Sequence, residues 1–148
     1  MSARSVLLVT SAILLLAALT MAAPDDKPYG DKGPKDAAVQ VAVFIPPSPC
    51  HEPCVKMLNK LADEYPKFLR VTVEPMNSEA AKKLKVACAC YLMKVKGVEP
   101  PKDKKRGDYE ILFEKSPEVG KWKVEDLQKK VLEGLKKVDA KKKGEEGG

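Results

Sequence analysis

The chain has 148 residues, a formal net charge of +6 and 32% charged residues. This length provides for one domain and not two, and the lysines are interleaved with acidic residues. With three Phe, four Tyr and one Trp, the chain lacks the basic face and stacking aromatics typical of nucleic-acid binding. It also has no Gly-rich phosphate loop, no Ser–His–acid set and no paired-carboxylate pattern.

Residues 1–23 have the organisation of a secretory signal. Arg4 gives a small positive region, an apolar stretch follows, and small residues close the segment at Ala18, Ala22 and Ala23. The apolar stretch is shorter than the about 20 residues that a membrane span needs, and an uncleaved N-terminal anchor is the alternative interpretation. The sequence therefore predicts a secreted or periplasmic protein, in a compartment where disulfides persist.

Two polar segments flank the predicted domain. Residues 24–37 are rich in charged and turn-forming residues, which predicts a disordered linker. Residues 139–148 form a low-complexity segment made mostly of Lys, Glu and Gly, which predicts a disordered charged tail. The folded domain is therefore predicted to span residues 38–138.

The spacing of apolar residues predicts an α/β domain with the order β-α-β-α-β-β-α. The first two strands should be parallel because a helix connects them. The last two strands should be antiparallel because a loop connects them. The sequence thus predicts a mixed four-stranded sheet flanked by helices. In chain order, the predicted elements are a strand at 39–45, a helix at 54–65, a strand at 69–74, a short helix at 80–84, strands at 90–95 and 109–114, and a helix at 124–138.

The four cysteines form two close pairs, Cys50/Cys54 and Cys88/Cys90. Residues four apart on a helix have Cα atoms about 6 Å apart, which is within disulfide range. Cys50, near the helix start, should be the more exposed thiol, and the unpaired N–H groups and helix dipole there favour its thiolate. Cys54, one turn further, would be the resolving thiol. This pair predicts thiol–disulfide redox chemistry.

Two polar residues lie between the first two cysteines. His51 is interpreted most simply as a solvated loop histidine, and in the alternative it would lower the pKa of Cys50 when charged. Glu52 would oppose a thiolate by charge repulsion or cap the helix N-terminus, and capping is the interpretation adopted.

Several segments, together with the order of elements, resemble the thioredoxin-like superfamily. The Pro-Cys pair at residues 53–54 opens a helix with a similar apolar and acidic series, as in the first thioredoxin helix. Residues 78–86 are similar to the family's connector helix, and residues 120–127 to the turn into its last helix. The resemblance covers roughly residues 38–138 and implies a thioredoxin-like fold.

The resemblance also implies roles for residues of the first pair. Cys50 would be the attacking thiolate and Cys54 the resolver, with His51 and Pro53 as modulating residues. The family has two residues between its cysteines, where this chain has three, and this chain has no counterpart of the family's buried acid on the first strand. The family's cis-proline before the third strand falls at Cys90, or one residue to either side.

A metal site is the first alternative. If Cys90 replaces that proline, it faces the start of the helix that carries Cys50, and Cys88 lies on the same side of an extended segment. Three or four of the sulfurs of Cys50, Cys54, Cys88 and Cys90 would then lie within a few ångström. Such a set suits Cu⁺, Zn²⁺ or an iron–sulfur cluster.

Structural disulfides in a non-catalytic binding module are the second alternative. A Cys88–Cys90 bridge would be strained, so this interpretation favours bridges between the two pairs. The main expectation remains an exported, monomeric thiol–disulfide oxidoreductase in cell redox homeostasis. It needs no cofactor, its partners are protein thiols or disulfides and not nucleic acid, and it meets a membrane only through an uncleaved signal.

Overall fold

A computed structural model of the protein describes residues 29–146, with side chains to residue 138. The predicted signal at residues 1–23 lies outside the described residues. Within the described part, no helix is both long enough and apolar enough to cross a membrane.

The elements are β1 (Gly30–Lys32), β2 (Val39–Phe44), α1 (Glu52–Glu64), β3 (Leu69–Glu74), α2 (Glu79–Lys83), β4 (Cys90–Val95), β5 (Lys105–Arg106), β6 (Tyr109–Glu114), α3 (Pro117–Gly120) and α4 (Val124–Glu146), with 3₁₀ turns at Pro49–His51 and Lys102–Lys104.

The strands form one mixed sheet in the order β1-β3-β2-β4-β6-β5. β2 and β3 are parallel, whereas β2–β4 and β4–β6 are antiparallel. The prediction of an α/β chain with a mixed sheet flanked by helices is confirmed. The predicted strand number is wrong, because the sheet has six strands rather than four.

Both additional strands are short and polar, so they carry no apolar alternation that a sequence reading could detect. β1 lies inside the predicted linker and pairs antiparallel with β3. The Arg70 guanidinium holds it by bonds to the Asp31 carboxylate at 2.6 Å and the Gly33 carbonyl at 2.9 Å. β5 forms a hairpin with β6, and Gly107 supplies the positive φ of +63° that its tight turn requires.

The C-terminal helix extends past residue 138, where the predicted domain ends. The backbone of residues 139–146 continues α4, within the segment assigned above to a charged tail. Ala, Lys and Glu, which make up most of this segment, are all good helix formers. A run without apolar periodicity can therefore extend a helix that packing has already nucleated further upstream.

The sheet buries two clusters of unequal size, one on each face. The larger cluster lies under α1 and α4, and Val43, Leu58 and Leu127 are among its members. The smaller cluster lies under α2 and contains Ala42, Phe44, Ala81, Cys90 and Leu92. Because side chains alternate along a strand, β4 sends Tyr91 to the larger cluster and Cys90 to the smaller one.

Strand register brings the chemically interesting segments to one end of the sheet. Phe44 at the end of β2 pairs with Cys90 at the start of β4, which in turn pairs with Glu114 at the end of β6. The 3₁₀ turn at Pro49–His51, the loop with Cys88 and the turn into α3 therefore all lie beyond this same end.

Candidate functional site

A proline-rich loop presents Cys50 at the surface. Pro46, Pro47 and Pro49 restrict the backbone after β2. The Ser48 hydroxyl accepts a hydrogen bond from the Cys50 N–H at 3.4 Å and so caps the 3₁₀ turn that leads into α1. Cys50 is an exposed free thiol at this turn, which is the position predicted for the attacking sulfur.

Cys54 lies in the first turn of α1 and is 0% exposed. Burial raises the pKa of its thiol, while hydrogen bonding with the Tyr91 hydroxyl opposes that shift. Cys54 is therefore a neutral thiol at neutral pH. One cysteine of the pair thus faces solvent and the other is enclosed behind it.

His51 is buried, which contradicts the expectation of a solvated loop histidine. Its side chain is 3% exposed, and its Nδ1 lies 2.7 Å from the Tyr91 hydroxyl. Burial lowers the pKa of His51 below its ordinary value of 6.5. The imidazole is therefore neutral at neutral pH, so it does not act there as a cation beside Cys50.

Tyr91 is the residue of this site that sequence reasoning missed. It is 0% exposed, and its hydroxyl contacts both His51 and Cys54. Alternation of side chains along β4 turns Tyr91, and not Cys90, toward the face that α1 covers. No motif marks it, and only the register of β4 shows that it faces α1.

Aromatic packing holds the Tyr91 ring. Trp122 meets it edge-on, with ring centroids 5.2 Å apart, and stacks on Phe113 at 4.5 Å. The Trp122 N–H also donates to the Glu114 carbonyl at 3.3 Å. A bulge in the pairing of β4 with β6 lets Leu112 and Phe113 both join the larger cluster, and this places Phe113 under Trp122. Trp122 is therefore a packing residue of this site.

Glu52 and Pro53 occupy the first helical positions of α1. The Glu52 carboxylate forms an exposed ion pair with Lys56 at 3.0 Å and lies where the helix dipole favours a negative charge. Glu52 is not the cap, because His51 is the residue that precedes α1. The Ser48 hydroxyl caps the adjoining 3₁₀ turn. Pro53 is tolerated there because its missing N–H has no helical acceptor in the first turn.

Cys88 has a different environment from Cys50. It is half-buried, and its thiol donates a hydrogen bond to the Glu114 carboxylate at 3.2 Å. The pKa of Cys88 is raised by burial, then by this hydrogen bond and the carboxylate charge, against smaller opposing effects of Lys115 and Arg106. Cys88 is therefore held as a thiol rather than activated as a thiolate.

Cys90 does not face the start of α1, so that expectation is wrong. It is 2% exposed and packs with Phe44 and Leu92 on the opposite face of the sheet. Burial raises its pKa to about 12. Neighbouring residues of a strand face opposite sides of the sheet. Because Tyr91 faces α1, Cys90 must face away from it.

The four cysteines consequently do not form one site. All four are free thiols, and they share one end of the sheet but not one face. Among residues 29–138, no three His, Cys, Asp or Glu side chains are grouped so that they could hold a metal ion. The sulfurs as placed do not form the set of three or four donors around one point that a zinc or iron–sulfur centre needs.

Comparisons of the chain with protein-family models, with curated proteins and with solved structures find no significant match. The functional conclusion therefore rests on the residues of the site and on their geometry.

Proposed function

We propose that this chain is an exported thioredoxin-like protein that exchanges protein thiols and disulfides through Cys50 and Cys54. The observation that carries the proposal is the asymmetry of this pair, with Cys50 exposed and Cys54 fully buried four residues later. Dithiol exchange needs one sulfur that a substrate can reach and a second that reaches only the first. The parallel β2–β3 pair and antiparallel β4–β6 pair support the thioredoxin-like assignment, since the order of elements that predicted both pairs is part of the resemblance.

The reaction follows from these positions. The Cys50 thiolate attacks a substrate disulfide, forms a mixed disulfide and releases one substrate sulfur as a thiolate. Cys54 then loses its proton and attacks the Cys50 sulfur, and the bond between Cys50 and the substrate breaks. The substrate gains two electrons and two protons as two thiols, and the protein becomes the Cys50–Cys54 disulfide. An external dithiol returns it to the reduced form.

The fold supports each step with a specific feature. Cys50 is exposed at the turn that leads into α1, so a substrate disulfide can reach its sulfur. Burial of Cys54 prevents it from competing for substrate. Neither alternative from the sequence has such support, because Cys90 lies on the other face of the sheet and the cysteines that would staple the domain are free.

Reduction of insulin by dithiothreitol tests this function. We expect the protein to accelerate precipitation of the insulin B chain, and Cys50→Ser to return the rate to that of dithiothreitol alone, because the attacking sulfur is gone. Cys88→Ser is the matched control and should retain the activity, since Cys88 is a hydrogen-bonded thiol outside the pair. An inactive wild-type protein, or activity that is lost in Cys88→Ser and kept in Cys50→Ser, would refute the proposal.

A further inference from the structure

We propose that Tyr91 and His51 form a buried proton relay that deprotonates Cys54 in the second step of exchange. This inference rests on the function proposed above and deepens it. Tyr91 contacts the reacting sulfur and is therefore assigned a catalytic role. His51 acts through Tyr91, as the terminal proton acceptor that also orients its hydroxyl.

The second step requires a base that the rest of the core does not supply. Cys54 is closed off from solvent, so bulk water cannot take its proton directly. Among the buried residues of the cluster around Cys54, Tyr91 is the one that bears a hydroxyl. Among the residues whose burial the structure describes, His51 is the single buried polar or charged side chain. A buried polar side chain is expected to have a hydrogen-bond partner. The partner of His51 is the Tyr91 hydroxyl, which also contacts Cys54.

The hydrogen bonds connect these three groups in the order a relay needs. The Tyr91 hydroxyl contacts Cys54 on one side and lies 2.7 Å from His51 Nδ1 on the other. A hydroxyl can accept one hydrogen bond while it donates another, so it can accept from the Cys54 thiol and donate to a neutral imidazole. The lowered pKa of His51 keeps the imidazole in this accepting form at neutral pH.

Proton transfer along this chain creates a thiolate and an imidazolium, which burial disfavours, so the charged pair is a transient state that the attack on Cys50 consumes. The Cys54 proton passes to the Tyr91 oxygen while the Tyr91 proton passes to His51 Nδ1. The new Cys54 thiolate then accepts from Tyr91, which accepts from the imidazolium. Tyr91 is a neutral phenol before and after the transfer, as its burial and raised pKa require.

The electron pair of the Cys54 sulfur forms the bond to Cys50, and the pair of the broken bond leaves on the substrate sulfur. The substrate thiolate takes up a proton from solvent, and His51 returns one.

The test separates the two steps with glutathione disulfide as the probe. Samples of the purified protein are acid-quenched over time, and intact mass gives the fractions of reduced protein, glutathione adduct and internal disulfide. In Tyr91→Phe, we expect adduct formation at the wild-type rate and its resolution slower by about 10²-fold, because positioned acid–base catalysis contributes that order. His51→Gln keeps an acceptor for the Tyr91 hydroxyl but is not a base, so we expect a similar slowing of the second step.

Tyr109→Phe is the matched control, because this tyrosine is half-buried and packs against the smaller cluster on the opposite face. It should change neither rate. If the role of Tyr91 were merely structural, Tyr91→Phe and His51→Gln would slow both steps together or leave both rates unchanged. Either of these results overturns the relay, while the exchange function stands. A wild-type protein that forms neither an adduct on Cys50 nor the Cys50–Cys54 disulfide refutes the proposed function itself, and the relay with it.

Discussion

Replacing Cys54 with serine should convert the protein into a trap that holds its substrate on Cys50. Cys50 is exposed and can still attack, but no second thiol remains behind it to displace the substrate. A resolving thiol held in place acts at an effective concentration far above that of millimolar thiols in solution. We therefore expect the glutathione adduct to persist on the order of 10³-fold longer than in the wild type, as measured by intact mass after acid quenching.

Two variants make this trapping experiment specific. Cys50→Ser should form no adduct, because the buried Cys54 cannot reach the probe. Cys88→Ser should resolve its adduct as fast as the wild type. A Cys54→Ser protein whose adduct lies on Cys88, or disappears at the wild-type rate, would contradict the assignment of attacking and resolving sulfurs.

Truncation of Tyr91 to alanine should be among the most destabilising changes to the fold. Tyr91 fills the space between Trp122 and the start of α1 and is fully buried, so its loss leaves a cavity and a buried His51 without its partner. We expect the free energy of unfolding to fall by about 3–5 kcal/mol. Urea unfolding can be followed by the fluorescence of Trp122, the single tryptophan of the chain.

Comparison with two other substitutions identifies the cause of this loss. Tyr91→Phe keeps the packed ring and should cost about 1–2 kcal/mol, for the lost hydroxyl alone. Tyr109→Ala removes a ring that is half-buried and should cost clearly less than Tyr91→Ala. Equal losses for Tyr91→Ala and Tyr109→Ala would show that Tyr91 is not the packing centre of this end of the sheet.

The main strands and helices could be predicted because their apolar periodicity reflects burial. β2 is a buried β-branched strand, and β3 alternates between buried and half-buried residues as a strand with one covered face should. The edge strand β1 could not be found in this way. Its pairing depends on backbone bonds to β3 and on the Arg70–Asp31 contact, which joins residues distant in sequence.

The candidate site shows where sequence reasoning stops. The position of Cys50 and Cys54 at the start of α1 followed from local spacing alone. The face of β4 did not, because an error of one residue in a strand transfers every side chain to the opposite side. The expected gathering of Cys90 with Cys50 therefore failed, and Tyr91 was overlooked. The burial of His51 likewise depends on a contact with a residue forty positions away, which nothing in its neighbours signals.

Peptide mapping of the oxidised protein is the most direct test that Cys50 and Cys54 form the redox couple. The reduced protein is treated with glutathione disulfide, and the remaining thiols are alkylated under denaturing conditions before digestion and mass analysis. We predict one internal disulfide, Cys50–Cys54, with Cys88 and Cys90 recovered as alkylated thiols. Disulfides that join Cys50 or Cys54 to Cys88 or Cys90 would contradict the account.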